Sequence, residues 1–172
     1  MNNKMTAMNQ IRVEKVTLNI GTGEPGDKLE KAMKLLSTIS NEKPVQTTTK
    51  ERIPTWNIRP GLAIGTKVTL RKKKAIELLK RLLDAVGHKI SIKKFDRNGG
   101  LSLGIKEYLD IPGTKYDAKI GIIGLDAAIT LERPGFRIKK RAYKKSNIPQ
   151  RHLISKEEAI DFIKREFNVV VE

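Results

Sequence analysis

The segments Lys43-Pro-Val-Gln-Thr-Thr-Thr-Lys50 and Ile64-Gly-Thr-Lys-Val-Thr-Leu-Arg71 flank the loop 50–61, and their reading decides the fold. In the second segment Ile64, Thr66, Val68 and Leu70 alternate with Lys67, Thr69 and Arg71. A period of two marks a strand with one face buried and one face open. The first segment reads as a partner strand beginning after Pro44, with Val45, Thr47 and Thr49 on one face. Both threonines share parity with the valine, which leaves the inward set of that strand open. The intervening loop holds Arg52, Trp56, Asn57 and Arg59, and its prolines and Gly61 bar regular structure. Glu51 is the only acid between Lys43 and Arg71. Hydroxyls and cations on a sheet, with an aromatic and basic loop at its end, suit a sugar-phosphate partner. They suit catalysis poorly, since no base or nucleophile is grouped there.

Outward from this pair, Val16, Leu18 and Ile20 alternate in an earlier strand that carries Asn19 on its other face. Leu29, Met33, Leu36 and Ile39 recur at helical spacing, as do Ile76, Leu79, Leu82 and Leu83 before a glycine stop at Gly87. Ile90 and Ile92 suggest a strand that turns at Asn98-Gly99-Gly100 into a hairpin with Leu101, Leu103 and Ile105. The run from Ile120 to Leu131 reads as one further strand. Ser155 and Glu158 form a capping-box pattern ahead of a helix carrying Ala159, Phe162, Ile163 and Phe167. Val169 to Val171 adds an edge strand. The order β-α-β-β-α-β-β-β-α-β, with alternating strands, predicts an α+β two-layer sandwich. Its sheet is mostly antiparallel, its helices lie on one face, and its open face presents Asn19, Thr47, Thr49, Lys67 and Thr69. One domain, 1–172, is expected, with extended loops at 50–61 and 133–154.

The balance of charge names the class of partner. Thirty-five Lys and Arg face 19 Asp and Glu, for a formal net charge of +16. Such an excess attracts polyanions. No apolar run approaches the roughly 20 residues that span a bilayer, so a nucleic acid is expected and a membrane is not. Residues 1–9 lack an apolar core, so no secretory signal is expected. The chain has no cysteine, which excludes disulfides, thiolate zinc sites and cysteine catalysis and fits an intracellular protein. With aromatics at only 5%, a broad base-stacking platform is not expected.

Several local patterns carry competing readings. Gly21-Thr-Gly23-Glu-Pro-Gly26 matches the dinucleotide fingerprint, and Glu42 lies near the spacing of a ribose carboxylate. The following strand is too polar for a buried parallel strand, so a tight turn before a helix is the preferred reading. His88 and His152 lack companion ligands, and neither a metal site nor a cofactor is expected. Ser102, Ser146 and Ser155 sit in no nucleophile motif. Arg71-Lys-Lys-Lys74 opens a helix, where cations face an already positive terminus unless an anion is bound; Lys72 and Lys73 therefore read as phosphate contacts. Residues 133–156 contain nine Lys or Arg and no acid, including Arg137, Lys139, Lys140, Arg141, Lys144 and Lys145, and read as an exposed basic loop for RNA or an acidic protein surface. Trp56 either plugs the loop against the core or is exposed to pack on a ribose or base. The competing classes are an RNA-modifying enzyme and a non-specific nucleic-acid chaperone.

Seven segments together resemble one known family: Arg12 to Gly23, Lys43 to Lys50 with Gly65 to Arg71, Phe95 to Glu107 with Gly124-Leu-Asp126, Glu132 to Arg137, and Ile154 to Ala159. They resemble the universal ribosomal protein five family of the large subunit, in its archaeal and eukaryotic branch. The resemblance implies a non-enzymatic, cytoplasmic constituent of the ribosome that attaches 5S rRNA to the central protuberance. It implies that Asn19 and Thr69 hydrogen-bond 5S rRNA, with Thr47, Lys50, Lys67 and Arg71 nearby. It implies further contacts with large-subunit rRNA and other central-protuberance proteins. The 52–61 loop would point toward peptidyl-site tRNA, and a small-subunit head protein would complete an intersubunit bridge. Glu42 stands where the family usually has Gln, and Thr66 where bacterial members usually have Cys.

Overall fold

The computed structural model describes residues 7–172. The reading of residues 1–9 as lacking a secretory signal falls largely outside them. Strand β1 (Arg12–Gly21) leads into α1 (Asp27–Ser40), then β2 (Val45–Thr48), β3 (Ala63–Arg71) and α2 (Lys72–Ala85). After β4 (Lys89–Ile90) come β5 (Leu101–Ile105), β6 (Leu125–Glu132), α3 (Arg137–Lys140), α4 (Lys156–Phe167) and β7 (Val170–Val171). Five strands form one antiparallel sheet in the order β2-β3-β1-β6-β5. Its covered face offers Val16, Leu18, Ile20, Val68, Leu70, Ala127, Ile129, Leu131, Leu101, Leu103 and Ile105, all buried. The apolar stripes of α1 (Leu29, Ala32, Leu35, Leu36, Ile39) and α2 (Ala75, Leu78, Leu79, Leu82, Leu83) are buried with them. This is the expected α+β sandwich with helices on one face. Period-two and period-3.6 patterns meet in one core because each element has one apolar side to cover.

The strand order also disposes of the dinucleotide reading. A nucleotide-binding βαβ unit pairs its two strands side by side in parallel. Here β3 lies between β1 and β2, and β2 pairs antiparallel with β3. Gly23 and Gly26 have φ of 74° and 111°, so the glycines serve the turn into α1.

Some elements depart from the sequence reading. Ile90 and Ile92 do not form a hairpin with Leu101 to Ile105. Instead β5 pairs with β6, and β4 pairs in parallel with β7 in a second, two-stranded sheet. The cause is local: Ser91 caps a 3₁₀ turn over Ile92–Lys94 that leads the chain away, leaving Phe95–Leu101 as a single bridge. The strand expected from Ile120 begins at Leu125, because Gly121 has φ 76° and a side chain at Gly124 would meet the Lys106 carbonyl at 2.8 Å. Ile76 is exposed, and Ala75 and Leu78 fill the α2 stripe. Residues 106–124 fold over the helix layer: Tyr108, Ile111 and Ile120 are buried, and Arg81 donates to the carbonyls of Pro112 and Ile39.

The two basic excursions are more ordered than expected. Loop 50–61 contains a 3₁₀ turn over Pro54–Trp56, and Ile53 and Ile58 exchange backbone hydrogen bonds of 3.0 and 3.1 Å. Proline at the start of that turn needs no amide partner, and Asn57 closes it in the left-handed region at φ 55°. Segment 133–156 is not wholly an exposed loop. Arg133 is buried and donates to Glu158 at 2.6 Å and to the Leu153 carbonyl at 3.2 Å. That fork ties both ends of the segment to the α4 capping box, which forms as the sequence indicates. No helix among the described residues is long and apolar enough to cross a membrane.

Candidate nucleic-acid interface

The uncovered face of the sheet is a grid set by strand pairing. Directly opposed residues in antiparallel strands share a face, with strands about 4.8 Å apart and same-face residues about 7 Å apart along a strand. One row runs Val45, Lys67, Asn19, Asp126, Gly104 across all five strands. The next runs Thr69, Thr17, Ala128, Ser102, and a third runs Arg71, Lys15, Thr130. On the other side of the Lys67 row lie Thr47, Gly65 and Gly21. From the Thr47 row to the Arg71 row the face measures about 20 Å along the strands.

The chemistry of this grid is uneven. Its β2-β3-β1 half carries hydroxyls, a carboxamide and cations. Its β6-β5 half carries Asp126, Ala128, Ser102 and Gly104. An anionic backbone is therefore drawn to the first half. The hydroxyls of half-buried Thr17 and exposed Thr69 lie 3.4 Å apart and keep spare donor and acceptor capacity for a 2′-hydroxyl. A side chain at Gly65 would sit 2.8 Å from Thr47 Oγ1 and 2.9 Å from the Ile20 carbonyl. Only hydrogen fits there.

Asn19, Lys67, Thr69 and Arg71 are exposed on this face, and Thr47 is half-buried beside Gly65. Thr49 is not on it. Strand β2 ends at Thr48, just past the point where its pairing skips Ile64 of β3, and the Thr49 hydroxyl donates to the Arg59 carbonyl at 2.5 Å inside the loop. The phase ambiguity of that strand thus resolves with Val45 and Thr47 on the open face. Lys50 is exposed just beyond the strand. Sequence reasoning missed Thr17 and Lys15, although both share the parity of Asn19 and that signal was present.

Each end of the grid is basic. At one end the loop presents Arg52, Asn57 and Arg59 to solvent, and Trp56 is 69% exposed, which decides against a core plug. At the other end Arg71 enters α2 in an extended conformation with no side-chain cap, followed by exposed Lys72 and Lys73. Lys74 is instead paired with Glu42, which raises the lysine's pKa by hydrogen bond and charge. Glu42 therefore has a role that Gln would fill less strongly.

The basic segment joins this second end through Glu14. That residue is the extra one of a β-bulge: Val13 pairs with Leu131 and Lys15 with Thr130. Its side chain is only 9% exposed and accepts from Arg71 at 3.3 Å and from Lys140. Burial pushes the Glu14 pKa up, but Lys140, Lys15 and Arg71 outweigh it and hold the carboxyl below its usual value. Nothing in the sequence pattern signalled Glu14, since a bulge has no periodicity. Arg137, Lys139, Arg141, Lys144 and Lys145 are exposed around α3, with the Lys144 ammonium 5.4 Å from the Tyr143 ring centre. The site thus brings the sheet, the α2 start and the basic segment into one surface, with the Trp56 loop at its far end.

Residues 6–59 match the family model described as ribosomal protein L5, and residues 63–162 match the model of the C-terminus of that ribosomal family. The chain belongs to the ribosomal protein L5 family. It is 53% identical over 165 residues to the large ribosomal subunit protein uL5 of Sulfurisphaera tokodaii, covering 95% of this chain and 93% of the relative. It is 52% identical to that of Nanoarchaeum equitans, covering 95% and 97%, and 42% identical to that of Methanosphaera stadtmanae, covering 98% and 100%. Membership makes it a structural, non-enzymatic ribosomal protein of the large subunit. An RNA-modifying activity is thereby set aside. All three of these relatives are archaeal, in keeping with the branch expected from Glu132 to Arg137 and Ile154 to Ala159.

Proposed function

We propose that this protein binds 5S rRNA through its open sheet face and attaches it to the central protuberance of the cytoplasmic ribosome. The observation that carries the reading is the pair of rows Lys67–Asn19 and Thr69–Thr17 on the sheet face opposite the helices, with Lys67, Asn19 and Thr69 exposed and Thr17 half-buried. A-form RNA is read through shape, phosphates and 2′-hydroxyls across its shallow minor groove. Asn19, Thr17, Thr47 and Thr69 supply groups that both donate and accept, while Lys50, Lys67, Arg71, Lys72 and Lys73 neutralise phosphates. Sheet residues then give specificity and the basic ends give affinity. The exposed Trp56, with Arg52, Asn57 and Arg59, is the natural contact for peptidyl-site tRNA. The remaining partners are large-subunit rRNA, other central-protuberance proteins and a small-subunit head protein in an intersubunit bridge.

Filter binding of the purified protein to 5S RNA, tRNA and an arbitrary hairpin RNA, each across a salt series, tests the reading. A preference for 5S RNA that persists at high salt is expected. Equal affinities that collapse together with salt would leave only a basic chaperone.

A further inference from the structure

Between α3, the carboxyl-terminal half of β6 and the bulge of β1 lies an open groove of about 660 Å³. Its apolar wall includes Phe136, Leu153 and Ile154, its rim carries Lys139, Lys140 and Lys145, and Asn98 and Asn147 also line it. Neither carboxamide makes a side-chain hydrogen bond among the described residues. Glu14 reaches the same groove, and both its partners, Arg71 and Lys140, use a single oxygen, Oε1. The second oxygen takes no partner among the described residues. The groove therefore combines an aromatic edge, uncommitted hydrogen-bonding groups on a nearly buried carboxylate and two amides, and three cations at its mouth.

We propose that this groove receives one unstacked RNA nucleotide, its base against Phe136 and its phosphate on the rim lysines. The inference rests on the RNA-binding reading but not on 5S rRNA as the ligand. Extruded bases are recognised by stacking on aromatic side chains and by hydrogen bonds to their edges. The volume falls within the roughly 300–1,000 Å³ of small-ligand clefts. An acidic protein segment would satisfy the lysines alone. It would leave Phe136 and both amides unused and would set its carboxylates beside Glu14. Guanine presents two adjacent donors, N1–H and its exocyclic amine, to the carboxylate of Glu14, where uracil presents only N3–H, so guanine is favoured over uracil.

The test uses the full chain and five-nucleotide single-stranded RNAs that differ only at the central position: guanosine, uridine or an abasic ribose. All three carry the same phosphates. The guanosine RNA is expected to bind about 5-fold or more tighter than the abasic RNA, the lower end of base–aromatic stacking, with uridine between them. Phe136→Leu should remove most of that difference while leaving the salt slope unchanged. Because Phe136 also packs near His152, at 5.9 Å between ring centres, Asn147→Ala at an exposed site provides a second variant if the first does not fold. Equal binding of guanosine and abasic RNAs by the unaltered protein overturns the proposal. So does loss of affinity to the same degree for all three RNAs in the variants. Displacement of every RNA alike by a hexaglutamate peptide, with no base dependence, would assign the groove to an acidic protein. A protein that shows no preference for 5S RNA yet discriminates base from abasic site keeps the groove and loses only the 5S assignment.

Discussion

Replacing Arg133 by methionine should loosen the basic segment and lower stability by about 2–3 kcal/mol, because one buried fork joins its two ends. The guanidinium donates to Glu158 at 2.6 Å and to the carbonyls of Leu153 and Arg151 at 3.2 and 3.4 Å. A buried pair broken from one side costs roughly 3–5 kcal/mol when the remaining charge is sealed in. Here the Glu158 side chain is 44% exposed and keeps its capping bond from the Ser155 amide, so part of that penalty is relieved by water. The two carbonyls lose a charged donor, worth about 1.5–3 kcal/mol for the better contact. Against this, Arg133 Nε is buried with no partner among the described residues, and its removal returns roughly 1 kcal/mol. Methionine keeps most of the stem's packing. The net corresponds to a drop in Tm of about 4–12 °C for a chain of this size. Urea denaturation measures the stability. Limited trypsin digestion, which should cut faster between residues 137 and 145, measures the loosening. A loss under about 0.5 kcal/mol with unchanged cleavage would refute the fork as the anchor.

Thr69→Ala should leave stability within about 0.5 kcal/mol and weaken 5S RNA binding by roughly 5–10-fold, the worth of one hydrogen bond, while hardly changing binding to an arbitrary hairpin; equal weakening for both RNAs contradicts the division of labour. Replacing Lys72 and Lys73 by alanine should weaken all RNAs alike and reduce the salt slope by roughly 0.7–0.9 for each phosphate no longer neutralised, read from binding at several salt concentrations. Acid should destabilise the protein through Glu14 and Glu158. Burial raises both pKa values, but the cations Lys140 and Arg71 on one, and the Ser155 amide with Arg133 on the other, hold both below 4.5. Protons then bind the unfolded chain more readily. The stabilisation is complete above about pH 4.5 and is lost as pH falls through the lowered folded values. Urea midpoints between pH 6 and 3 should fall, and less steeply in Glu14→Gln.

The main sheet was legible because β5 and β6 alternate throughout and β1 and β3 alternate over Val16–Gly21 and Thr66–Arg71, and alternation is the physical mark of a sheet covered on one side. The pairing partners were less so. Ile90 was near enough in sequence to Leu101 for a hairpin, but its actual partner strand begins at Val170, which local pattern cannot reveal. Residues 106–124 carried no periodic signal because they cover the helices with isolated side chains such as Tyr108 and Ile111. The open-face residues followed from parity, with Thr17 the overlooked case. Thr49 was misassigned by the same parity, since β2 ends at Thr48 and the Thr49 hydroxyl turns to the Arg59 carbonyl of the loop. Glu14 and Arg133 act by joining distant segments, and composition reads them only as one more acid and one more base.

The central place of β1 has a consequence for the order in which the sheet is made. Leu18 pairs with Val68 and with Ala127, so its two neighbours emerge roughly 50 and 110 residues after it. Closing the longer loop costs only about 0.7 kcal/mol more, because the entropy grows with the logarithm of length. Time separates the two events more than energy does. At about 5–20 residues per second, β6 follows β3 by several seconds on the translating chain. The cationic half of the grid, with α1 and α2 behind it, can therefore assemble first. Meanwhile the far edge of β1 stays unpaired, and the sheet's one exposed acid, Asp126, has yet to arrive. The nascent protein passes through a stage more basic on its open face than the finished one, with a bare strand edge beside it.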